Sequence, residues 1–333
     1  MINLESIAAT DPDRALDHHA GQLARARAAI SRYILGQDQV IEEALVVVLS
    51  GGHGLLVGLP GLAKTRLVHT LSRVLGLATR RIQFTPDLMP ADILGSEVLD
   101  QDDAGQRRFR FIEGPVFCQL LMADEINRAS PRTQSALLQA MQEYHVTVAG
   151  QRHDLPSPFH VLATQNPLEQ EGTYPLPEAQ LDRFLLQIDV FYPDRDAERR
   201  MLFETTGATS AHASPVMTAD ELRAIQRLVR RIPVGESVVE AILSLVRSAR
   251  PSETPDKRLA EAIAWGPGPR ASQALMLACR ARALIDGRYA PSIDDVLALA
   301  EPVLQHRMAL SFAARADDLS IRSVIGELKA KIG

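Results

Sequence analysis

A loop of small residues follows an apolar segment and ends in a lysine and a threonine. The apolar segment covers residues 55–57, and after Lys64 and Thr65 apolar residues recur at helical spacing over residues 67–75. A strand, a loop and a helix in this order direct unpaired backbone N–H groups and the positive end of the helix at one point, which favours phosphate binding. In such a loop the lysine reaches the outer phosphates and the threonine hydroxyl ligates Mg²⁺. The predicted binding residues are Gly58, Leu59, Pro60, Gly61, Leu62, Ala63, Lys64, Thr65 and Arg66.

The strict form of this loop has glycine immediately before the lysine, where this chain has Ala63. Because a methyl group adds little bulk and permits a helical backbone, we expect the difference to change a backbone conformation and to remove no ligand. The alternative is a helix that begins after a glycine turn, with Lys64 and Thr65 solvated. The strand and helix on either side of the loop favour phosphate binding over that alternative.

Two adjacent carboxylates close a second apolar segment further along the chain. Residues 120–123 are apolar and lead into Asp124 and Glu125. At the end of a strand, the first carboxylate can hold Mg²⁺ through water, and the second can activate a water that attacks the γ-phosphoryl group. A kinase or a GTP-dependent switch would not need the second acid. Acidic pairs are also common as solvated caps, so the hydrolytic interpretation depends on their combination with the phosphate loop.

A third apolar segment ends in Asn166, which precedes a proline. An amide in this position can lie between the two central strands and orient the attacking water by hydrogen bonding. By itself the Asn-Pro pair would be typical of an ordinary turn.

The order of apolar segments predicts an α/β domain followed by a helical domain. Strand-like segments alternate with helical patterns as far as about Val190, and almost everything beyond is helical. We expect an N-terminal helical extension over residues 1–22, a nucleotide-binding α/β domain over 23–192 and a helical lid over 193–333. The five predicted strands cover residues 55–57, 81–84, 120–123, 159–163 and 184–188.

Composition excludes several classes of protein. Of 333 residues, 46% are hydrophobic and 23% charged, which argues against disorder. No apolar stretch approaches the length of a membrane span, and the N-terminus lacks the pattern of a secretory signal, so we expect a cytoplasmic protein without membrane insertion. Cys118 and Cys279 are too far apart in sequence to suggest a disulfide framework or a metal site, and both are expected to be buried.

Charge gives little reason to expect a nucleic-acid partner. The net charge is −5, which provides no global attraction to a phosphate backbone. Paired arginines, among them Arg80 and Arg81, are scattered along the chain and do not form a stripe. We expect these pairs on solvated faces or subunit interfaces.

Taken together, the motifs resemble an ATPase of the AAA+ superfamily, and more closely its MoxR family, in which alanine before the lysine is usual. The resemblance implies an α/β fold, a P-loop AAA+ domain of three layers around a parallel sheet, followed by an all-helical lid. It also implies ATP and Mg²⁺ as ligands. The similar segments are residues 58–65, 84–92, 113–117, 123–129, 163–167, 176–184 and 268–272.

The resemblance to the MoxR family implies a role for each residue of the central motifs. Lys64 and Thr65 resemble the Walker A pair, Asp124 the Mg²⁺-associated Walker B aspartate and Glu125 the catalytic base. Asn166 is similar to the residue called sensor 1.

Further residues of the resemblance lie outside these central motifs. Gly36 and Gln37 match the segment that usually lies near the adenine, and Arg270, which opens a helix in the second domain, resembles the sensor 2 arginine. The resemblance therefore implies a nucleotide bound against the lid, with Arg270 linking hydrolysis to domain rotation.

Arg183 is at the position of the arginine finger. An arginine that supplies charge to a neighbouring subunit's transition state must lie at a surface, and residues 178–183 form a polar stretch just before a buried strand. The alternative is a local ion pair of Arg183 with Asp182 or Glu178. If the finger acts in trans, a closed ring of identical subunits follows from head-to-tail contacts, and the family implies a hexamer.

Two segments are longer than ordinary α/β connections. The family resemblance implies that residues 86–112 form an insert in its second helix, and residues 145–157 have the pattern of a hairpin. Long extra elements in a compact domain are usually functional. They could face a pore or a target protein, or be simple edge ribbons, and the sequence leaves both open.

The leading interpretation is a chaperone-like, Mg²⁺-dependent ATPase of MoxR type that remodels or matures a partner protein. The family resemblance suggests a client with a von Willebrand factor A domain, and this chain has no Asp-x-Ser-x-Ser motif of its own. One alternative is a slowly hydrolysing, nucleotide-gated scaffold. Another is a chelatase or nucleic-acid motor subunit of the same clade.

Overall fold

A computed structural model describes residues 12–101, 107–169, 172–205 and 213–332 of the chain. The strands are β1 Gly54–Gly58, β2 Thr79–Gln83, β3 Gly95–Gln101, β4 Arg107–Glu113, β5 Leu120–Asp124, β6 His145–Val148, β7 Gln151–Asp154, β8 His160–Gln165, β9 Leu186–Val190, β10 Ile263–Trp265 and β11 Ala309–Leu310. The helices are α1 Pro12–Ser31, α2 Asp38–Leu49, α3 Lys64–Val74, α4 Pro90–Leu94, α5 Pro131–Glu143, α6 Glu178–Leu181, α7 Arg195–Thr205, α8 Ala219–Arg231, α9 Glu236–Ser248, α10 Lys257–Ala262, α11 Pro269–Ile285, α12 Ile293–Leu304, α13 Phe312–Ala316 and α14 Ile321–Ala330.

A parallel five-stranded sheet forms the centre of the first domain. Its order is β2-β5-β8-β1-β9, and every neighbouring pair is parallel. All five predicted strands are present. Because the strands are parallel, the loops that follow β1, β5 and β8 leave the same edge of the sheet, and β8 separates the other two strands.

Helices cover both faces of this sheet. Successive residues of β1 point to opposite faces, so Leu56 packs into the core that α1, α2 and α3 share with the lid, whereas Leu55 packs into a second core with α5. Both side chains are almost completely buried. Burial on both faces explains why these strands are apolar along their length, and it confirms the predicted three-layer domain.

The second domain is helical, with one small antiparallel ribbon of β10 and β11. Its longest helix, α11, packs against α1 and α2 of the first domain as well as against α9 and α12 of its own. Residues of the lid helices belong to the same apolar core as the sheet residues. The predicted succession of an α/β domain and a helical lid is confirmed.

The expected limit of an N-terminal extension, residue 22, lies inside a helix. Helix α1 runs without interruption across that position. Its apolar residues Leu16, Leu23, Ala26 and Ile30 are all buried, and they pack against the rest of the first domain. Because the buried stripe continues along one helix face on both sides of residue 22, the helix is one element. The other expected limit, at residue 192, lies between β9 and α7.

Both long connections contain antiparallel hairpins. The first hairpin, β3–β4, follows α4, and the second is β6–β7. They meet where the ring of Phe111 stacks on that of His153, with centroids 3.9 Å apart. Phe109, on the first hairpin, is 72% exposed.

Cys118 and Cys279 are both buried, as predicted. Over the described ranges, none of the helices combines the length and apolar character needed to cross a membrane.

Candidate functional site

The loop between β1 and α3 is shaped by backbone that side chains rarely permit. A Cβ at Gly58 would lie 2.6 Å from the carbonyl oxygen of Val190 on the neighbouring strand β9, so that position requires glycine. Gly61 has a φ of 82° and nothing within 4 Å of where its Cβ would be. The middle of the loop is therefore open on the side where a ligand would approach.

Ala63 is not helical, and the expectation of a helical backbone there is wrong. Its φ is 58° and its ψ 18°, in the left-handed region, where it forms the N-cap of α3 without a side-chain hydrogen bond. An alanine in this region costs roughly 1–2 kcal/mol relative to a right-handed conformation. This turn leaves the first N–H groups of α3 without a side-chain cap, which is the geometry that a phosphate-binding helix needs.

Lys64 lies within the loop, near the carboxylates of the next strands. Its Nζ donates to the carbonyl oxygens of Gly58 at 2.6 Å and Leu59 at 2.7 Å. Burial lowers the pKa of Lys64, and the charges of Asp124 and Glu125 oppose that shift. The ammonium group, which donates to loop carbonyls, thus lies close enough to feel the charge of the acidic pair across strand β8.

Asp124 ends β5 and is held at both carboxylate oxygens. Its Oδ1 accepts a hydrogen bond from the hydroxyl of Thr164 on β8. Its Oδ2 accepts from Arg81 on β2, and the side chain is 13% exposed. Arg81 is therefore part of the site, contrary to the expectation that it belongs to a merely solvated or interface pair.

Glu125 occupies a left-handed conformation at the end of the same strand, with a φ of 55°. Its N–H donates to the Oγ1 of Thr164 at 2.9 Å, so one hydroxyl contacts both members of the acidic pair. Its Oε2 accepts from Gln83 at 2.7 Å and from Arg128 at 3.2 Å. The hydroxyl and these two donors fix the direction in which the carboxylate points.

Sequence reasoning missed all four of these contacting residues, Arg81, Gln83, Arg128 and Thr164. Gln83 is directly opposite Asp124 in the register of β2 and β5. The position of Gln83 at the carboxyl end of a strand could have indicated a site residue. That position is informative only when β2 is known to lie next to β5, the strand of the acidic pair.

Asn166 follows β8 and is 7% exposed. Its Oδ1 accepts from the N–H of Leu168 at 3.1 Å, which fixes the side chain in a short local turn. Since β8 lies between β5 and β1, the end of the strand that carries this amide lies between the acidic pair and the phosphate loop.

Gly36 and Gln37 pack against the connection between β9 and the lid. Nε2 of Gln37 donates to the carbonyl oxygen of Phe191 at 2.7 Å. A Cβ at Gly36, whose φ is 68°, would lie 2.5 Å from the Cβ of Ala197. Because Phe191 directly follows β9, this segment lies beside the carboxyl edge of the sheet, where the phosphate loop also lies.

Arg183 and Arg270 lie together at the opposite edge of the sheet. Nη1 of Arg270 is 3.7 Å from Oδ2 of Asp182. Both arginines line a cavity of about 280 Å³ together with Gly52 and His53, which precede β1. The structure thus brings Arg270 to Arg183, whereas the phosphate loop follows the other end of β1.

A local ion pair of Arg183 is not found. Its side chain is half-buried and forms no ion pair with any residue that the structure describes. The carboxylate of Asp182 is instead held by Arg307 at 2.8 Å and approached by Arg270.

The donor set suits Mg²⁺ together with a triphosphate. The hydroxyl of Thr65 on the first turn of α3 and the carboxylate of Asp124 are hard oxygen ligands. Across the described residues, no group of three or more His, Cys, Asp and Glu side chains could hold a metal by itself. Such a site fits Mg²⁺, which usually takes one or two protein ligands and completes its shell with phosphate oxygens and water.

Comparisons with known proteins identify the family of the chain. Residues 53–186 match the ATPase family associated with various cellular activities (AAA), and residues 256–328 match the AAA lid domain. The fold and site therefore define an AAA ATPase with its lid.

Relatives in several bacteria match nearly the whole chain. The chain is 43% identical over 307 residues to Chaperone MoxR1 of Mycobacterium tuberculosis, covering 92% of this chain and 80% of that protein. It is 32% identical to Protein MoxR of Paracoccus denitrificans, covering 89% and 90%. A solved structure from Cytophaga hutchinsonii superimposes with a TM-score of 0.89 at 34% identity, covering 99% of both chains. The chain belongs to the MoxR family of AAA+ ATPases.

Proposed function

We propose that the chain binds ATP and Mg²⁺ at residues 58–65 and hydrolyses the γ-phosphoryl bond with Glu125 as base. The observation that carries the proposal is the hydroxyl of Thr164, which contacts both Asp124 and the N–H of Glu125 beside the strand that leads to Asn166. This contact fixes two carboxylates at the edge of the sheet from which the phosphate loop leaves.

Each residue then has a distinct task. Thr65 and Asp124 would hold Mg²⁺, which when bound would neutralise charge on the phosphates. Lys64 exchanges its contacts with the loop carbonyls for contacts with the outer phosphates. Glu125 accepts a proton from the attacking water, and the amide of Asn166 orients that water.

The two arginines serve a different subunit from the one that carries them. Because Arg183 and Arg270 lie at the sheet edge opposite to the phosphate loop, neither is placed to act on the nucleotide of its own chain. A head-to-tail neighbour would present both guanidinium groups to the next nucleotide. We therefore propose a closed ring, with six subunits by family resemblance, in which each site is completed in trans.

The similarity to Chaperone MoxR1 of Mycobacterium tuberculosis supports a chaperone role for this chain. We propose that the nucleotide cycle remodels or matures a client protein, with a von Willebrand factor A domain as the candidate partner. The joined hairpins β3–β4 and β6–β7 are the candidate contact surface, since the first carries the exposed ring of Phe109.

Two substitutions separate binding from hydrolysis. Lys64→Ala is expected to abolish binding of a fluorescent ATP analogue. Glu125→Gln is expected to keep binding while turnover falls by about 10²-fold or more, as for the loss of a general base. Glu240→Gln, an exposed substitution on α9 of the lid, is the matched control. Wild-type turnover in Glu125→Gln would overturn the assignment of the base.

A slowly hydrolysing scaffold is the second candidate. Lys64 and Glu125 are both engaged by protein groups, the loop carbonyls in one case and Gln83 and Arg128 in the other. Such contacts must be exchanged before reaction, which favours a low basal rate. A basal rate that no client or assembly step raises would support this candidate over the remodelling ATPase.

A further inference from the structure

Arg307 lies near Arg183 and Arg270, in the single helical turn Gln305–Arg307 of the lid, and all of its side-chain N–H groups are hydrogen-bonded. It is 2% exposed. Its Nε donates to Oδ1 of Asp182 at 2.8 Å, and its Nη2 donates to the carbonyl oxygens of Asp182 at 3.4 Å and Phe184 at 2.6 Å. Its Nη1 donates to the carbonyl oxygens of Leu185 at 3.1 Å and Val303 at 2.6 Å.

These contacts use all five N–H donors of a guanidinium group. Four of them go to residues 182–185, which form the segment that contains Arg183. The neighbouring His306 adds a contact of 3.0 Å from its Nε2 to the carbonyl oxygen of Phe184. The lid thus holds the main chain on both sides of Arg183 while the side chain of Arg183 stays unpaired by any described residue.

Burial makes this arrangement sensitive to position. Removing a guanidinium group from water is strongly unfavourable unless its donors are hydrogen-bonded and its charge is paired. Here the charge is met by Asp182 alone among the described carboxylates. A shift of the segment by one hydrogen-bond length would leave buried donors unpaired, so Arg307 and the segment move as one body.

Asp182 extends the same network to Arg270. Its Oδ1 takes the bond from Arg307 and its Oδ2 faces Arg270 at 3.7 Å. The carboxylate of Asp182 therefore connects the lid turn to Arg270 and to the segment that contains Arg183.

We propose that Arg307 is a positioning residue, which through Asp182 and the carbonyls of residues 182–185 sets Arg183 and Arg270 in the geometry that completes the neighbouring subunit's site. The proposal rests on the trans role of these arginines proposed above. It assigns the control of that geometry to the lid, because Arg307 lies between α12 and β11. A change in lid orientation in one subunit would then alter hydrolysis in the next.

If Arg307 has only a structural role, its substitution should impair ATP hydrolysis in the subunit that carries it. If it is a positioning residue, the substitution should impair hydrolysis in the neighbouring subunit. Loss of a structural contact damages the subunit that carries the substitution. Loss of the positioning contact leaves that subunit's own phosphate loop and base intact, and it impairs the arginines presented to the neighbour.

Mixed rings test this difference. Arg307→Lys, which replaces five donors by three, is expected to lower kcat between about tenfold and a hundredfold with little change in the KM for ATP, as for misplaced transition-state groups. Glu125→Gln subunits lack the base but keep intact arginines. Equal parts of the two variants, mixed before nucleotide is added, are expected to recover about one quarter of wild-type turnover, because one interface in four joins a good base to good arginines.

Arg183→Ala mixed with Glu125→Gln is the reference, and Arg288→Lys is the control. Arg288 also pairs with carboxylates, Asp286 and Asp295, but within the lid. Asp182→Asn, which keeps the shape of the partner and removes its charge, replaces Arg307→Lys if the latter unfolds on thermal melting.

Recovery in both mixtures supports the positioning role. Recovery with Arg183→Ala, but not with Arg307→Lys or Asp182→Asn, overturns the positioning role and leaves the proposed function intact. Wild-type turnover in both Arg307→Lys and Asp182→Asn has the same meaning. Failure of the Arg183→Ala mixture itself contradicts the trans role, and with it the basis of the inference.

Discussion

Nε and Nη2 of Arg81 both donate to one oxygen of Asp124, Oδ2, at 3.2 and 2.6 Å. Arg81 comes from the neighbouring strand β2, and its side chain is 53% exposed. The carboxylate that we assign to Mg²⁺ therefore shares its charge with a guanidinium group at the rim of the site.

Because Arg81 competes with Mg²⁺ for the carboxylate of Asp124, its removal should make Mg²⁺ bind more tightly. We expect Arg81→Ala to lower the Mg²⁺ concentration for half-maximal turnover by about two- to fivefold, the range that a partly exposed ion pair allows. Arg80→Ala removes the same charge from the adjacent residue and should have a smaller effect. An increase in the Mg²⁺ requirement of Arg81→Ala would show that Arg81 assists the cation and does not compete with it.

The left-handed Ala63 predicts a strict size limit in the phosphate loop. Ala63→Gly should bind ATP at least as tightly as the wild type, because glycine adopts this conformation without strain. Ala63→Val should bind at least about tenfold more weakly, since a β-branched residue is a true outlier in this region. The measurement is a titration with a fluorescent ATP analogue. Equal affinity in the valine variant would contradict the loop geometry.

Glu43, on the buried face of α2, should make stability depend on pH. Burial raises the pKa of Glu43 to about 7 from an ordinary 4.5; a hydrogen bond from Gln39 opposes the shift and nearby Asp189 adds to it. Between these values the folded chain keeps a proton that the unfolded chain has released, so stability falls as pH rises from about 4.5 to 7. The loss is at most about 3 kcal/mol.

Glu43→Gln should remove that loss. We expect its unfolding temperature to exceed that of the wild type above pH 7 and to change less between pH 5 and pH 8 than the wild-type value does. Glu240→Gln, an exposed substitution on α9, should follow the wild-type curve. Parallel pH curves for Glu43→Gln and the wild type would show that Glu43 is charged in the folded protein at neutral pH.

Local patterns predicted the parts of this molecule whose structure is decided locally. The phosphate loop, the acidic pair and the central strands each depend on a short stretch of residues. Their common edge follows from parallel strands alone.

Contacts between distant segments were beyond the reach of such patterns. The role of Arg81 depends on β2 lying next to β5, and the meeting of Arg270 with Asp182 depends on how the lid packs. For the same reason, the buried stripe of α1 became visible only when the surface that covers it was known. These are tertiary relationships, which hydrophobic periodicity does not encode.

If each active site is completed by a neighbouring subunit, ATP turnover per subunit must depend on protein concentration. Steady-state turnover per subunit should be measured across the concentration range in which sedimentation shows rings to form. We expect the rate per subunit to rise with ring formation in the wild type and to stay low in Arg183→Ala. A constant rate per subunit from dilute monomer to ring would contradict completion of the site by a neighbour.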